Sequence, residues 1–322
     1  MNVKEKKCHM FFLLLIPLLA FLGACQHDYP EISLKPEENE LDTVTAPTPH
    51  YQPREEITHP EDSPYLRLTI APVISSPRSR ENYRNLISYL SREAERPVEL
   101  LLRSSHGKIT QLLQQEMVDV ALLCSASYME VKESGEYELL AVPQFQGESL
   151  YRSYVFSRKE EGAHNIEDLK GETFVFTDPL SFSGSLFPFR LLERKGETPD
   201  TYFADHFYSY NPDTSVLAVA EGWITAGAVN SMVYNYLTEE NEDFADNLQI
   251  IEASSPVGYV PLVASKQLPE RLKEDLRETV LEMHKYEAGR EALEELRVER
   301  FISPEEVEDV DFNKLSKIMG GY

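Results

Sequence analysis

The chain has 322 residues, 42% of them hydrophobic, enough for two modest domains with their own cores. Its formal net charge of -24 argues against nucleic acid and against an anionic membrane surface as partners. A small anionic ligand is not excluded, because screening over about 8 Å at physiological salt hides distant carboxylates and lets a local cluster of N–H dipoles dominate.

The first residues read as a targeting segment. Lys4, Lys6 and Lys7 form a basic start, and Phe11 to Leu22 form an apolar run too short for an ordinary spanning helix. The run ends in Leu22-Gly23-Ala24-Cys25, which resembles a bacterial lipobox. That resemblance implies a signal peptide over 1–24 and lipidation of Cys25. With Cys8 removed and Cys25 acylated, Cys124 is the last of the three cysteines, and no intramolecular disulfide can form. Two or three acyl chains, at about 0.8 kcal/mol per buried CH₂, anchor a protein stably. Residues 25–64 carry no hydrophobic period and are rich in Pro, Glu, Thr and Asp, the composition of a disordered tether. A flexible chain of that length reaches roughly 35 Å root-mean-square.

The folded part starts near Tyr65. Leu66 to Val73 alternates as a strand, and Arg78 and Arg80 follow it as weaker cleft candidates. Glu81 to Ala94 has helical spacing, and Val98 to Arg103 is the next strand. A helix over 108–115, a strand over 118–123, a helix from Ala126 and a strand over 139–143 continue the alternation. Tyr151 to Ser157 is strand-like. A second series follows: strand 172–177, helix 185–195, strand 206–210, helix 214–221, strand 225–229 and helix 231–238. Strands at 248–252 and 259–263 and helices at 270–286, 290–296 and 304–319 complete the chain. Strands and helices alternating at short intervals predict an α/β protein of parallel βαβ units, with ligand loops at the carboxyl ends of the strands.

The stretch Thr177-Asp-Pro-Leu-Ser-Phe-Ser-Gly-Ser-Leu-Phe-Pro188 lies between a predicted strand and a predicted helix. Helix N-terminal N–H groups have no internal partner, the macrodipole adds about half a positive charge, and Ser hydroxyls and Gly suit close approach to an anion. An ordinary helix cap is the other reading of the same residues.

Several stretches together resemble the phosphonate/phosphite/phosphate-type solute-binding proteins of ABC importers. They are Val118-Asp-Val-Ala-Leu-Leu-Cys-Ser-Ala-Ser-Tyr128, Leu139 to Pro143 with Leu150 to Tyr154, Ile166 to Gly171 with Phe176 to Gly184, and Gly222 to Asn230. The resemblance implies a type II periplasmic-binding-protein-like fold: two βα lobes joined by two crossover strands, with a ligand cleft between them. Lobe 1 is expected over 66–152 plus 250–322 and lobe 2 over 153–249. Carried onto this chain, it implies that Ser181, Ser183, Gly184 and Ser185 hold the anion oxygens, and that Tyr128 faces the ligand from lobe 1. Ser125, at the end of a strand, can donate a bond or cap a helix. His106 stands where relatives carry Tyr, Asn230 and Thr225 where they often carry Asp, and Asn211 to Thr214 where they carry an anion-binding His. His106, Asn211 and Asn230 join the candidate ligand set.

No metal-ligand spacing, Walker loop or nucleophile elbow occurs, so no metal, cofactor or catalytic residue is expected. Cys124 reads as a small buried hydrophobe, or less readily as a soft ligand. The expected function is a lipid-anchored extracytoplasmic binding protein, monomeric, that captures a small oxyanion (phosphonate, phosphite or phosphate) for an ABC permease. The alternatives are a receptor of the same fold that feeds a membrane sensor kinase, and a lipoprotein that has kept the fold and lost ligand binding.

Overall fold

A computed structural model describes residues 42–45, 64–72, 83–145, 147–258 and 260–307. The signal peptide, Cys25, Arg78, Arg80 and the predicted helix beyond residue 307 lie outside the described residues.

Fourteen strands are described: β1 Asp42–Thr45, β2 Leu66–Ile70, β3 Val98–Leu102, β4 Val120–Leu122, β5 Tyr137–Gln144, β6 Leu150–Tyr151, β7 Ser153–Arg158, β8 Thr173–Phe176, β9 Asp205–Tyr208, β10 Ala226–Asn230, β11 Leu248–Ala253, β12 Val257–Gly258, β13 Leu262–Ser265 and β14 Arg300–Ile302. They form one seven-stranded sheet, β1-β3-β2-β4-β13-β5-β14, one five-stranded sheet, β11-β7-β10-β8-β9, and the small pair β12-β6. Each large sheet has three parallel strands with the first in sequence in the middle, β3-β2-β4 and β9-β8-β10. That order is a topological switch point, which opens a crevice at the strands' carboxyl ends.

The expected α/β, two-lobed architecture is present. It differs from a purely parallel series at the edge strands β1 and β14 and at two strands inside the sheets. β13 runs antiparallel to β4 and β5, and β7 runs antiparallel to β10 and β11. These are the strands that carry the chain between lobes, and a chain entering a sheet from its far side runs against the parallel strands. The passages are bonded together: Ser153 N–H donates to Ser254 Oγ at 2.9 Å, Ser254 N–H to Ser153 O at 2.9 Å, and Arg152 Nη1 to Ser254 O at 2.7 Å.

β1 falls inside the stretch read as a disordered tether. It pairs antiparallel with β3, Thr43 opposite Leu101 and Thr45 opposite Glu99. Thr43, Val44 and Thr45 are β-branched, and β3 would otherwise present an open edge of unpaired N–H and C=O groups.

Helices cover the sheets: α1 Arg84–Glu93, α2 His106–Gln114, α3 Ser125–Ser134, α4 Phe187–Glu193, α5 Pro199–Tyr202, α6 Pro212–Ala220, α7 Ser231–Glu240, α8 Glu242–Asn247, α9 Glu270–Glu282 and α10 Glu287–Glu295. In α1 the buried positions Leu86, Ile87, Tyr89 and Leu90 form one stripe against the first sheet. The second lobe is built on Phe174, Phe176 and Phe156, all fully buried, with Phe174 stacked on Phe203 at 4.5 Å between centroids. Asp119 of the Val118-Asp-Val-Ala stretch is structural. Its carboxylate accepts Arg67 Nε at 3.2 Å, Arg67 Nη2 at 2.8 Å and Arg67 N–H at 2.7 Å, tying β2 to β4.

Candidate functional site

The predicted helix over 185–195 is two pieces. A π-helical turn runs Phe182–Leu186, and α4 begins at Phe187 with Pro188 in its first turn. Proline has no N–H, so it is tolerated at a helix start and forces a new one here. Ser181 Oγ accepts the Gly184 N–H at 3.1 Å, and the N–H groups of Ser185 and Leu186 both bond to Ser181 O. Gly184 is required by packing: a Cβ there would overlap the Thr177 side chain. The loop therefore folds onto the end of β8, and Gly184 N–H and Ser185 N–H are used within it rather than turned to a ligand.

A narrow cleft with about 30 Å³ of free volume lies between the lobes. Ala71 and Pro72 after β2, His106 after β3 and Cys124 after β4 line it from the first lobe. Thr177, Ser181 and Ser183 after β8, Pro212 after β9 and Asn230 at the end of β10 line it from the second. Tyr151 and Val260 close it beside the passages between lobes. Every parallel strand thus sends its carboxyl-end loop into one crevice. Phe182, Leu186 and Met232 of the second lobe join the same buried apolar cluster as Tyr128, Met129, Tyr151 and Val260.

Of the expected ligand residues, Ser181, Ser183, His106 and Asn230 meet in the cleft. Ser183 Oγ makes no hydrogen bond to a described residue, while its backbone O accepts Ser153 Oγ at 2.6 Å. Asn230 caps α7 by accepting the Val233 N–H at 2.8 Å through Oδ1, which leaves its amide N–H₂ to donate. The others stand back from the lining. Ser125 is fully buried and bonds Gly258 O at 2.6 Å and Tyr151 OH at 3.2 Å. Tyr128 is buried one turn into α3, and burial pushes its phenol pKa up. Ser185 Oγ and Asn211 Oδ1 are buried without a partner among the described residues, and Asn211 adjoins the cleft through Pro212. Tyr210, next in sequence, holds a left-handed φ of 55°, strained for a bulky side chain, and its N–H bonds Thr177 O at 2.6 Å.

Cys124, read from sequence as a small hydrophobe or a soft ligand, lines the cleft with Tyr151 and Thr177, and Asp178 reaches the His106 N–H. The sequence signal for Cys124 was its place at the end of a strand and the start of a helix, where it caps α3 by accepting the Ser127 N–H at 3.4 Å. Its Sγ also lies 3.1 Å from Ser127 Oγ and 3.8 Å from Leu180 O. Burial works against a charge on His106. The Cys124 sulfur that shares a hydrogen bond with it, and the Asp178 carboxylate, outweigh burial and raise its pKa to about 9. Burial likewise resists a Cys124 thiolate, and the imidazolium and Ser127 overcome it, lowering the thiol pKa. Among the described residues, no group of three or more His, Cys, Asp or Glu is arranged to hold a metal ion.

Comparison with known proteins agrees with this fold. A binding protein component of an ABC phosphonate transporter from Pseudomonas aeruginosa matches with a TM-score of 0.71 at 21% identity, covering 80% of this chain and 86% of that one. PhnD1 from Prochlorococcus marinus, in complex with methylphosphonate, matches at 0.69 and 18% identity, covering 80% and 97%. A Xanthomonas citri protein bound to chloride matches at 0.66 and 19% identity, with the same coverage. These likenesses establish the fold. The family model described as "ABC transporter, phosphonate, periplasmic substrate-binding protein" matches residues 68–309, three quarters of the sequence, and the chain belongs to that family of extracytoplasmic solute-binding proteins.

Proposed function

We propose that this protein is a monomeric receptor, held at the membrane by lipid on Cys25, that captures a small phosphorus oxyanion (phosphonate, phosphite or phosphate) and delivers it to an ABC permease. The observation that carries the reading is the convergence of the Ser181 and Ser183 hydroxyls, the Asn230 amide and the His106 imidazole in one interlobe cleft. Hydroxyl and amide donors satisfy oxyanion oxygens, and bonds to a charged group are roughly twice as strong as neutral ones. Among the described lining residues there is no Lys or Arg, and the His106 imidazole is the group there that can carry a positive charge. Capture needs no bond-making step. Ligand bonds made only with the lobes together shift the population toward the closed state. The family membership supports the class of ligand, and the methylphosphonate bound by the Prochlorococcus marinus neighbour is consistent with it.

The test is a thermal-shift series with phosphate, phosphite, methylphosphonate, 2-aminoethylphosphonate and sulfate. A ligand at 100 times its Kd adds about 2.7 kcal/mol to the folded state. A raised Tm with one phosphorus oxyanion and none with sulfate supports the reading. A cooperative melt that no oxyanion moves overturns it and leaves a lipoprotein that has kept the fold without the ligand.

A further inference from the structure

His106 and Cys124 follow the two strands that flank β2, and their side chains meet at the cleft. A structural cysteine sits dry among apolar atoms. Cys124 is partly exposed, caps a ten-residue helix by accepting the Ser127 N–H at 3.4 Å, lies 3.1 Å from Ser127 Oγ and 3.8 Å from Leu180 O, and lines the cleft beside His106. Partial exposure in an electropositive setting is what separates reactive thiols from inert ones. A second observation concerns the imidazole. His106 is only 5% exposed, lines the same cleft, and its Nδ1 has no hydrogen-bond partner among the described residues. The titratable groups around the pair are Asp178 from the loop after β8 and Tyr151 from β6.

We propose that Cys124 is a nucleophilic thiolate of the cleft and a site of oxidation by small hydroperoxides, with His106 as its counter-ion and proton donor. The sulfur attacks the terminal peroxide oxygen, an S–O bond forms and the O–O bond breaks. Sulfur loses two electrons and the peroxide gains them. The leaving alkoxide, or hydroxide from hydrogen peroxide, takes the imidazolium proton and departs as alcohol or water. Cys124 becomes a sulfenic acid and His106 becomes neutral. Cys124 is the one free cysteine among the described residues, so no neighbouring thiol there resolves the product, and it persists until a small external thiol condenses with it.

The test treats the full chain with hydrogen peroxide and then dimedone, with peptide mass as readout. In parallel, iodoacetamide alkylation of the Cys124 peptide is timed from pH 6 to 9. The expected result is a dimedone adduct on Cys124, absent in Cys124→Ser, and alkylation at pH 6 roughly tenfold or more faster than glutathione. His106→Gln slows the pH 6 reaction and moves its inflection upward. Should that variant not fold, the profile of the native chain decides. An alkylation rate that climbs about tenfold per pH unit toward 8, as for an ordinary thiol, overturns the proposal, as does the lack of an adduct on Cys124. Neither readout uses an oxyanion, so this proposal and the ligand reading stand or fall separately.

Discussion

The backbone N–H of His106 donates to Asp178 Oδ2 at 2.9 Å, so the first turn of a helix in one lobe is closed by a carboxylate from the other. Asp178 Oδ1 accepts the Leu180 N–H at 2.9 Å in the same loop, and the side chain is almost wholly buried. A helix N-terminus has orphan N–H groups and a positive dipole end, which a carboxylate satisfies on both counts. Asp178→Asn removes the charge and leaves one acceptor oxygen for two donors. The expected loss is about 1–3 kcal/mol, with the lobes biased apart. Denaturant melts and small-angle scattering check it, and an unchanged midpoint with an unchanged radius of gyration counts against the latch.

Ser183 and Ser185 are two residues apart and predict opposite results. Ser183 lines the cleft, and its structural bond is made by its backbone O, so Ser183→Ala should weaken oxyanion binding by about 1–3 kcal/mol with the fold intact. Ser185 Oγ is fully buried with no partner among the described residues, so Ser185→Ala should leave affinity unchanged and stability equal or higher by up to about 1 kcal/mol. Calorimetric titration of the two variants side by side separates them. Equal affinities would remove Ser183 from the site.

The Arg67–Asp119 pair predicts a non-additive cycle. Both side chains are buried, and removing Arg67 alone strands a carboxylate in the core. Arg67→Leu should lose about 3–5 kcal/mol, and the double change Arg67→Leu/Asp119→Leu distinctly less, because no charge is left unpaired. Urea unfolding of the single and double variants measures it, and simple additivity would contradict the account.

His106 and Cys124 titrate as a pair, which gives the pH dependence a definite shape. The His106 pKa is raised to about 9, so its contribution is complete below the unfolded value of 6.5 and is lost as pH rises through 9. The Cys124 pKa is lowered from 9.0, so its contribution is complete above 9.0 and is lost as pH falls through the depressed folded value. Between those limits the folded pair holds its one proton on the imidazole and the unfolded pair holds one on the thiol, so the pair adds no slope. The unfolding free energy of the native protein minus that of His106→Gln/Cys124→Ser should be level with pH above both 6.5 and the depressed thiol value, up to about 9. A difference that declines steadily across the level stretch would mean a charged imidazole without its thiolate.

The periodicity of the chain made the order of βα units legible, and with it the loops that meet in the cleft. The residues that resemble the family's loop, Ser181 and Ser183, line the cleft together with His106 and Asn230. What sequence did not carry was pairing across long separations. Asp178 meets His106 over 72 residues and Ser125 meets Gly258 over 133, and neither contact has a local signal. Cys124 read as a small hydrophobe because thiol reactivity depends on a neighbour 18 positions away in sequence, placed by the β3–β2–β4 order. The strand direction of β7 and β13 was missed for the same reason, since a hydrophobic run does not say which way its neighbour points.

The paired passages between the lobes have a mechanical consequence. Ser153 and Ser254 hold the two crossing segments side by side through reciprocal bonds, and Arg152 adds a third. Two pivots fastened at one point share one axis. The lobes can swing apart like the covers of a book, but a corkscrew motion would shear those bonds. Opening is thereby reduced to a single coordinate, so a ligand that bridges Ser183 and His106 anywhere along the crevice acts on the same angle.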